Sequence, residues 1–234
     1  MSPCGVRVAM CLALAMSGCV VDVVLARERD GASEQDATSD PSQLRVEGEI
    51  IASLGLDEAS GDDPTETRFA LRLFSGNQRI MDATVTLESS LGTLTMSTHN
   101  AQYSATQRGY ATQYTVVVTR PMSTARWVIV GPEAHRIVQP VREARVRAMT
   151  ELPVRWEPAG MAETSVSTEH MPETPTGDTG TFVVPASALV GAPADPVDDK
   201  VMVRRTRVVT PMGAALGSSI RVSLRAERAF VITP

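Results

Sequence analysis

The sequence predicts an all-β protein. Val, Ile and Thr, which favour strands, account for 58 of its 234 residues. Apolar residues recur at every second position in several stretches, most clearly at Ile220, Val222 and Leu224, and this period places one face of a strand in a core. No stretch longer than about ten residues keeps a helical period. We therefore expect β-sheets throughout the folded part of the chain.

The chain divides into four predicted segments. Residues 1–18 form an apolar leader, and residues 19–43 form an acidic segment with too little apolar surface to fold alone, which predicts a flexible tether. Alternating strands fill residues 44–147, and a second, looser set fills residues 148–234. Short strands separated by polar turns favour sandwiches over sheets wrapped by helices. We expect two β-sandwich domains with these boundaries.

The leader has the composition of a secretory signal peptide. Arg7 precedes an apolar run from Val8 to Met16 that is too short to span a bilayer, and small residues follow it. The tetrapeptide Met16-Ser17-Gly18-Cys19 resembles the lipobox of bacterial lipoproteins. The resemblance implies cleavage before Cys19 and acylation of its sulfur and amine with chains such as palmitate. Ala13-Leu14-Ala15 supports an alternative, ordinary secretory cleavage without an anchor.

The lipobox resemblance implies a place in the bacterial cell envelope. Several acyl chains hold a protein on a membrane far more firmly than one chain does. Val20 is not the aspartate that retains some lipoproteins in the inner membrane, so the outer membrane is the expected location. Cleavage would also remove Cys4 and Cys11. The mature chain would then have no internal disulfide, no thiolate metal site and no free cysteine nucleophile.

Composition and motifs exclude several functional classes. A net charge of −5 argues against binding nucleic acid through overall basicity, and 4% aromatic residues argue against a stacking platform. His99, His135 and His170 are far apart in sequence and do not have metal-ligand spacing. The Gly-x-Ser-x-Gly nucleophile motif and the P-loop are absent. We expect no cofactor and no catalytic residue, while a Ser-His-Asp site assembled in space stays an alternative.

Two acidic features are candidate sites. Asp57, Asp62 and Asp63 lie in one acidic loop, whose oxygens could bind calcium or simply be solvated. The segment Gly177-Asp178-Thr179-Gly180 contains the Asp-Thr-Gly triplet of aspartic proteases. Those enzymes need two carboxylates that share a proton, so a single copy could act only in a homodimer. We interpret the triplet as a tight turn before a strand.

The last strands carry a candidate anion-binding surface. Basic residues far outnumber acidic ones between positions 200 and 228. If these strands pair, several guanidinium groups could share one exposed face and bind phosphate or carboxylate groups of an envelope polymer. A solvated face that resists edge-to-edge aggregation is the alternative. The candidate residues are Arg204, Arg205, Arg207, Arg221 and Arg225.

Several short motifs resemble bacterial immunoglobulin-like domains. In the first predicted domain these are Ala83–Leu87, Leu91–Leu94, Gly109-Tyr110 and Tyr114–Val116. The second predicted domain is similar more loosely, through Val154–Trp156 and Asp178–Phe182. The resemblance implies two immunoglobulin-like sandwiches. Because the mature chain would lack their inter-sheet disulfide, apolar burial must stabilise both.

The expected function is that of a lipid-anchored envelope protein that is not an enzyme. It would bind a protein or anionic polymer, or act as a surface spacer, with loops and strand edges as recognition surfaces. One alternative is an accessory subunit of a membrane or secretion assembly. Another is a hydrolase, which should show a deep polar pocket with a perturbed histidine or carboxylate.

Overall fold

The computed structural model describes residues 43–54, 66–191 and 194–234. These ranges contain β-strands, a short 3₁₀ helix at Ala186–Ala188 and no α-helix, so the all-β prediction is confirmed. No helix in this part of the chain is long and apolar enough to cross a membrane. The strands are β1 (Leu44–Ser53), β2 (Glu66–Ser75), β3 (Gln78–Ile80), β4 (Thr84–Ser89), β5 (Gly92–Thr95), β6 (Ser97–His99), β7 (Gln102–Arg108), β8 (Gln113–Arg120), β9 (Ser123–Val130), β10 (Arg136–Gln139), β11 (Ala144–Arg147), β12 (Leu152–Glu157), β13 (Glu163–Ser167), β14 (Thr174–Thr176), β15 (Thr181–Val184), β16 (Val197–Val209) and β17 (Ser219–Thr233).

The strands form three sheets. The large sheet has ten strands, eight of them in the order β14-β13-β16-β17-β1-β2-β7-β6, with β11 paired to β17 and β3 paired to β2. A four-stranded sheet has the order β5-β4-β8-β9, and a three-stranded sheet has the order β10-β12-β15. Nearly all pairs are antiparallel. The exceptions are β1 and β11, which both pair with β17 in parallel.

Strand β1 shows how the sequence pattern becomes structure. Leu44, Val46, Ile50 and Ala52 are buried, and the residues between them are exposed or partly exposed, as the alternation predicts. Gly48 occupies the remaining inward position. A Cβ atom there would lie 2.2 Å from the carbonyl oxygen of Ala70 on the neighbouring strand, so no larger residue fits.

Strands β16 and β17 form a long hairpin within the large sheet. Residues 197–209 pair one by one with residues 220–232. The other side of β17 pairs with β1 near its start and with β11 near its end. β17 has 15 residues, which corresponds to about 50 Å at the usual rise per residue in a strand. One continuous strand therefore runs alongside both predicted domains.

Two hydrophobic cores lie on the same side of the large sheet. Even-numbered residues of β17 point to that side, and they contribute Ile220 to the first core and Phe230 to the second. The first core lies between the large and four-stranded sheets and contains Trp127. The second lies between the large and three-stranded sheets and contains Trp156. Sheets packed face to face confirm the predicted sandwich architecture.

The predicted boundary at residue 148 falls within this shared architecture. Strands β1 and β2 from residues 44–147 and strands β13 and β16 from residues 148–234 belong to the same sheet. Residues 41–234 form one compact unit by their contacts. The separation into two domains stays a prediction, and the structure adds that their two cores share a sheet.

Candidate functional site

A buried ion pair lies at the boundary between the two hydrophobic cores. On β16, Val203 belongs to the second core and Val209 packs against the first, with Arg205 between them. Arg205 is only 2% exposed. Its Nε and Nη2 atoms donate to Oδ2 of Asp178 at 3.0 and 2.5 Å, and its Nη1 donates to the carbonyl oxygen of Glu133 at 3.1 Å. The guanidinium is thus held on three sides.

The carboxylate of Asp178 is surrounded by donors. Nε1 of Trp156 donates to Oδ1 at 3.1 Å, and the backbone N–H of Ala162 donates to Oδ2 at 3.1 Å. Burial by itself raises the pKa of Asp178, but these hydrogen bonds and the charge of Arg205 together lower the pKa below its ordinary value. A Cβ atom at Gly160 would lie 2.3 Å from Nη2 of Arg205, so the pair is also tightly enclosed.

The geometry of Asp178 decides between the two interpretations of its triplet. The segment is a bend that leads into β15, and Gly180 has a φ of +82°, a conformation that favours glycine. Aspartic protease chemistry requires a second carboxylate beside the first. The partner of the Asp178 carboxylate is instead the guanidinium of Arg205. Asp178 therefore belongs to a structural turn, as interpreted from the sequence.

His135 is the second buried titratable group at this junction. It is 2% exposed, and its Nε2 lies 3.1 Å from the carbonyl oxygen of Val203, so Nε2 carries the proton. Nδ1 has no hydrogen-bond partner. Burial lowers the pKa of His135 to about 4, which keeps the ring neutral.

A cavity of about 550 Å³ lies beside His135. It shares one feature with the pocket expected of a hydrolase, a histidine whose pKa is lowered. The residues that line it are Leu54, Ala134, His135, Arg136, Glu157 and Pro158. This described lining carries no hydroxyl or thiol group that His135 could activate, and Asp178 bonds to Arg205 and Trp156. The lining therefore does not contain the parts of a Ser-His-Asp site.

The five candidate anion-binding arginines do not form one cluster. Arg204 is directly opposite Arg225, and Val208 is opposite Arg221, so these three arginines lie on the outer side of the large sheet. Arg204 pairs with Glu173, and Arg225 pairs with Glu227. Arg205 and Arg207 lie on the other side, where Arg205 is buried in its ion pair. Anion binding by the three outer arginines stays a prediction.

Strand β9 presents an open edge. It is the last strand of the four-stranded sheet and is eight residues long. The N–H of Gly131, just past its end, donates to the carbonyl oxygen of Thr112 at 2.8 Å. Hydrogen-bonded and non-hydrogen-bonded residue pairs alternate along an antiparallel ladder. Because Gly131 belongs to a hydrogen-bonded pair, the odd-numbered residues of β9 direct their backbone groups to β8. The residues whose backbone N–H and C=O groups point to the open edge are Thr124, Arg126, Val128 and Val130.

The other sheet edges in the described structure are shorter or interrupted. Strands β3, β5, β6, β10, β11, β14 and β15 have three or four residues each. Pro175 lies within β14, and Pro140 and Pro185 directly follow β10 and β15. Short edges and prolines prevent a further strand from pairing, whereas β9 has neither. Among the described strands, β9 is thus the edge best suited to accept another strand.

Several predicted site residues lie outside the described residues. They are the lipobox residues Met16, Ser17, Gly18 and Cys19 and the candidate calcium residues Asp57, Asp62 and Asp63. In the described ranges, no group of three or more His, Cys, Asp and Glu side chains could hold a metal ion. The lipid anchor and the calcium site stay predictions.

Comparison with known proteins gives only distant structural likenesses. No family model and no curated protein sequence matches the chain. The chain is similar to the I-band fragment I67-I69 from titin, with 9% identity and a TM-score of 0.25 over 81% of this chain, and it spans 64% of that fragment. It is also similar to the D0-D1 domain of intimin, with 12% identity and a TM-score of 0.22, covering 76% of this chain and 96% of that one. The structure itself confirms an all-β sandwich, and kinship with bacterial immunoglobulin-like domains stays a prediction.

Proposed function

We propose that this chain is a lipid-anchored cell-envelope protein, without catalytic activity, that holds a stiff β-body on the membrane as a spacer or as a binder of a protein or polymer. The observation that carries this proposal is the shared hairpin of β16 and β17, which gives both cores one common sheet. The Arg205–Asp178 pair joins this hairpin to the turn before β15, and Arg205 also bonds to the carbonyl of Glu133 in the segment between β9 and β10. Such a body keeps its surfaces at a fixed distance from each other.

The anchor is supported by the sequence ahead of the body. Met16-Ser17-Gly18-Cys19 fits lipidation at Cys19, and the acidic segment 20–43 would tether the body to the membrane. A flexible chain of that length reaches on the order of 25–30 Å. Because Val20, and not the aspartate of inner-membrane retention, follows Cys19, we propose the outer membrane as the location.

A labelling experiment tests the anchor. Cells that express the tagged full chain are fed palmitate carrying a click-reactive group, and label and membrane association are measured together. We expect both in the native chain and in Cys11→Ala, whose cysteine lies in the leader, and neither in Cys19→Ala. A Cys19→Ala protein that is still labelled and sediments with membranes would refute lipidation at Cys19.

The non-catalytic role is supported by how the buried titratable groups are used. Asp178 accepts hydrogen bonds from Arg205, Trp156 and the Ala162 N–H, and His135 donates to the Val203 carbonyl. In catalytic sites, perturbed groups of this kind converge with a nucleophile on space that a substrate can enter. Here their partners are Arg205, Trp156 and backbone groups at the border of the second core, which is a structural use.

The open edge of β9 favours a second candidate function, an accessory subunit of a membrane assembly. Four alternate residues direct their backbone groups to this edge, and an extended partner segment could add to them as a fifth strand. Val128 and Val130 expose part of their side chains beside this edge, which would contact alternate side chains of the partner.

Cross-linking in intact cells distinguishes a subunit from a spacer. A photoreactive amino acid replaces Val128, and a matched one replaces Val183, which is similarly exposed on β15. A subunit predicts one abundant adduct from position 128 that disappears when Thr124→Pro removes an edge-facing N–H, a change that an edge strand tolerates. Equal, weak adducts at both positions would contradict strand addition at β9.

A further inference from the structure

The loop between β16 and β17 exposes two large apolar side chains. Met212 is 93% exposed and Leu216 is 98% exposed, although they are only four positions apart. Gly213 and Gly217 each follow one of them and adopt φ values of +82° and +83°. These turns direct the chain so that both side chains point away from the body.

Hydrogen bonds hold this loop in place. The hydroxyl of Ser218 donates to the carbonyl oxygen of Ala215 at 2.7 Å and accepts from the N–H of Val46 at 3.1 Å. Pro211 is buried beneath the loop, and Ala214 packs against the first core. The exposure of Met212 and Leu216 is therefore built into the fold, since the residues around them are fixed.

Cationic and aromatic side chains lie next to the loop. A Cβ atom at Gly217 would lie 3.4 Å from Cδ of Arg45. The guanidinium of Arg45 lies 4.4 Å from the ring centre of Phe74, and that of Arg79 lies 5.6 Å from it. We call this surface the loop end, defined by Arg45, Phe74, Arg79, Met212 and Leu216. Exposed apolar side chains beside arginines suit the interface of a phospholipid bilayer, where the side chains enter the acyl boundary and guanidinium groups meet phosphates.

The described chain also begins at the loop end. The N–H of Ala215 donates to the carbonyl oxygen of Leu44 at 2.9 Å, and Leu44 is the first residue of β1. The segment that precedes it leads back to Cys19. If Cys19 is lipidated, the bilayer lies within reach of a tether that joins the body next to Met212 and Leu216.

We propose that the loop end contacts the membrane and fixes the orientation of the body on it. This inference rests on the proposed lipid anchor, because one loop would bind a bilayer only weakly without it. The anchor holds the loop end at high effective concentration near the surface, so a modest contact suffices to orient the body. Met212 and Leu216 insert and Arg79 contacts lipid phosphates, while Arg45 shares its charge with Glu47 at 3.3 Å.

Depth-dependent quenching tests the contact. The native chain has no cysteine after Cys19, so Leu216→Cys can carry a single fluorescent probe in the lipidated full chain. Met161→Cys is the matched control, because Met161 is 104% exposed but lies between β12 and β13, outside the loop end. Both proteins are reconstituted into vesicles of phosphatidylethanolamine and phosphatidylglycerol that contain a quencher in the acyl region. We expect strong quenching at position 216 and little at position 161.

A second measurement uses the unlabelled chain without its anchor. Cys19→Ser protein with native loop residues should bind the same vesicles weakly, and replacing Met212 and Leu216 with serine should reduce the partition coefficient by about tenfold or more. The folded state of each variant is checked by its far-ultraviolet circular dichroism. Equal partitioning of the two proteins would overturn the insertion of these side chains.

The outcomes separate the two proposals. If the lipidated chain floats with vesicles but positions 216 and 161 are quenched alike, the anchor stands and the fixed contact is overturned. If the full chain does not float and carries no acyl group, the proposed anchor itself fails, and the orientation proposal fails with it. Quenching at position 216 alone, on a chain that floats, supports both.

Discussion

The two cores use similar strands but complete their packing by different means. In the first core, aromatic rings meet edge to face, with the centres of Phe69 and Tyr114 at 5.1 Å and those of Tyr110 and Tyr114 at 6.2 Å. The hydroxyl of Tyr114 accepts the N–H of Ala111 at 2.8 Å, so its polar atom is satisfied next to the core. Shape complementarity among apolar groups stabilises this region.

The second core has a buried ion pair at its border. Trp156, its largest side chain, donates to Asp178, which in turn pairs with Arg205. A buried ion pair stabilises the fold little more than well-packed apolar residues would. Removing one partner, however, leaves the other charge buried and unpaired, which strongly destabilises the fold. We therefore expect the free energy of unfolding to depend on side-chain volume in the first core. In the second core, it should depend most strongly on charge at the border.

The largest expected effect is the loss of one charge from the pair. Asp178→Ala leaves the guanidinium of Arg205 buried without its carboxylate, and we expect the free energy of unfolding to fall by about 3–5 kcal/mol. Urea unfolding followed by tryptophan fluorescence measures it. Asp198→Ala is the control, because Asp198 is exposed on β16, and it should change the free energy of unfolding by less than about 0.5 kcal/mol.

The double replacement Asp178→Leu with Arg205→Met sharpens this comparison. Both charges are then absent, so neither is left unpaired, and the double variant should be markedly more stable than Asp178→Ala. If the double variant loses as much free energy of unfolding as the single variant, the loss comes from packing or from the unpaired N–H groups of Trp156 and Ala162, and not from an unpaired charge.

In the first core, the comparable change is a large loss of volume. Leu71 is fully buried between the two sheets. Leu71→Ala should lower the free energy of unfolding by about 2–5 kcal/mol, because it removes apolar contacts and leaves a cavity. Leu71→Met, which nearly conserves volume, should cost less than about 1.5 kcal/mol in the same measurement. Equal losses for the two variants would contradict a core that depends on volume.

The alternation rule explains which parts of this comparison the sequence could predict. Period two identified the buried side of β1, since each inward residue there is apolar. The same rule places Arg205 inward with Val201 and Val203, whereas grouping arginines by composition placed it among exposed residues. Its partner could not be predicted, because Asp178 is 27 positions away in a turn whose position depends on the whole second core.

The open edge of β9 could not be predicted from the sequence either, because it depends on the order of the strands in the sheet. Strands β8 and β9 both place buried residues at every second position, and β8 also buries Val117 between two of them. Nothing in that local pattern says which strand ends the sheet. The open edge follows from the global arrangement in which β8 pairs with β4 and β9 pairs only with β8.

A pH effect should come from the junction and not from the first core. The pKa of His135 falls from 6.5 to about 4 on folding. Between these values the unfolded chain binds a proton that the folded chain does not, so stability is lost as the pH falls, by about 1.4 kcal/mol per pH unit. His135→Gln should make urea unfolding less sensitive to pH in this window, while His170→Gln, an exposed control, should not. An unchanged slope in His135→Gln would mean that another group titrates.

The smallest expected effect tests whether the two cores differ anywhere except at the ion pair. Ile129 is buried in the first core and Ile137 in the second, at 0% and 2% exposure. Each Ile→Val change removes one methylene from an apolar environment, so both should lower the free energy of unfolding by about 0.5–1.5 kcal/mol. Similar values would mean that the apolar parts of the two cores are equally well packed. A clearly larger loss for Ile137→Val would show that the second core around Ile137 relaxes less to fill the lost volume than the first core does around Ile129.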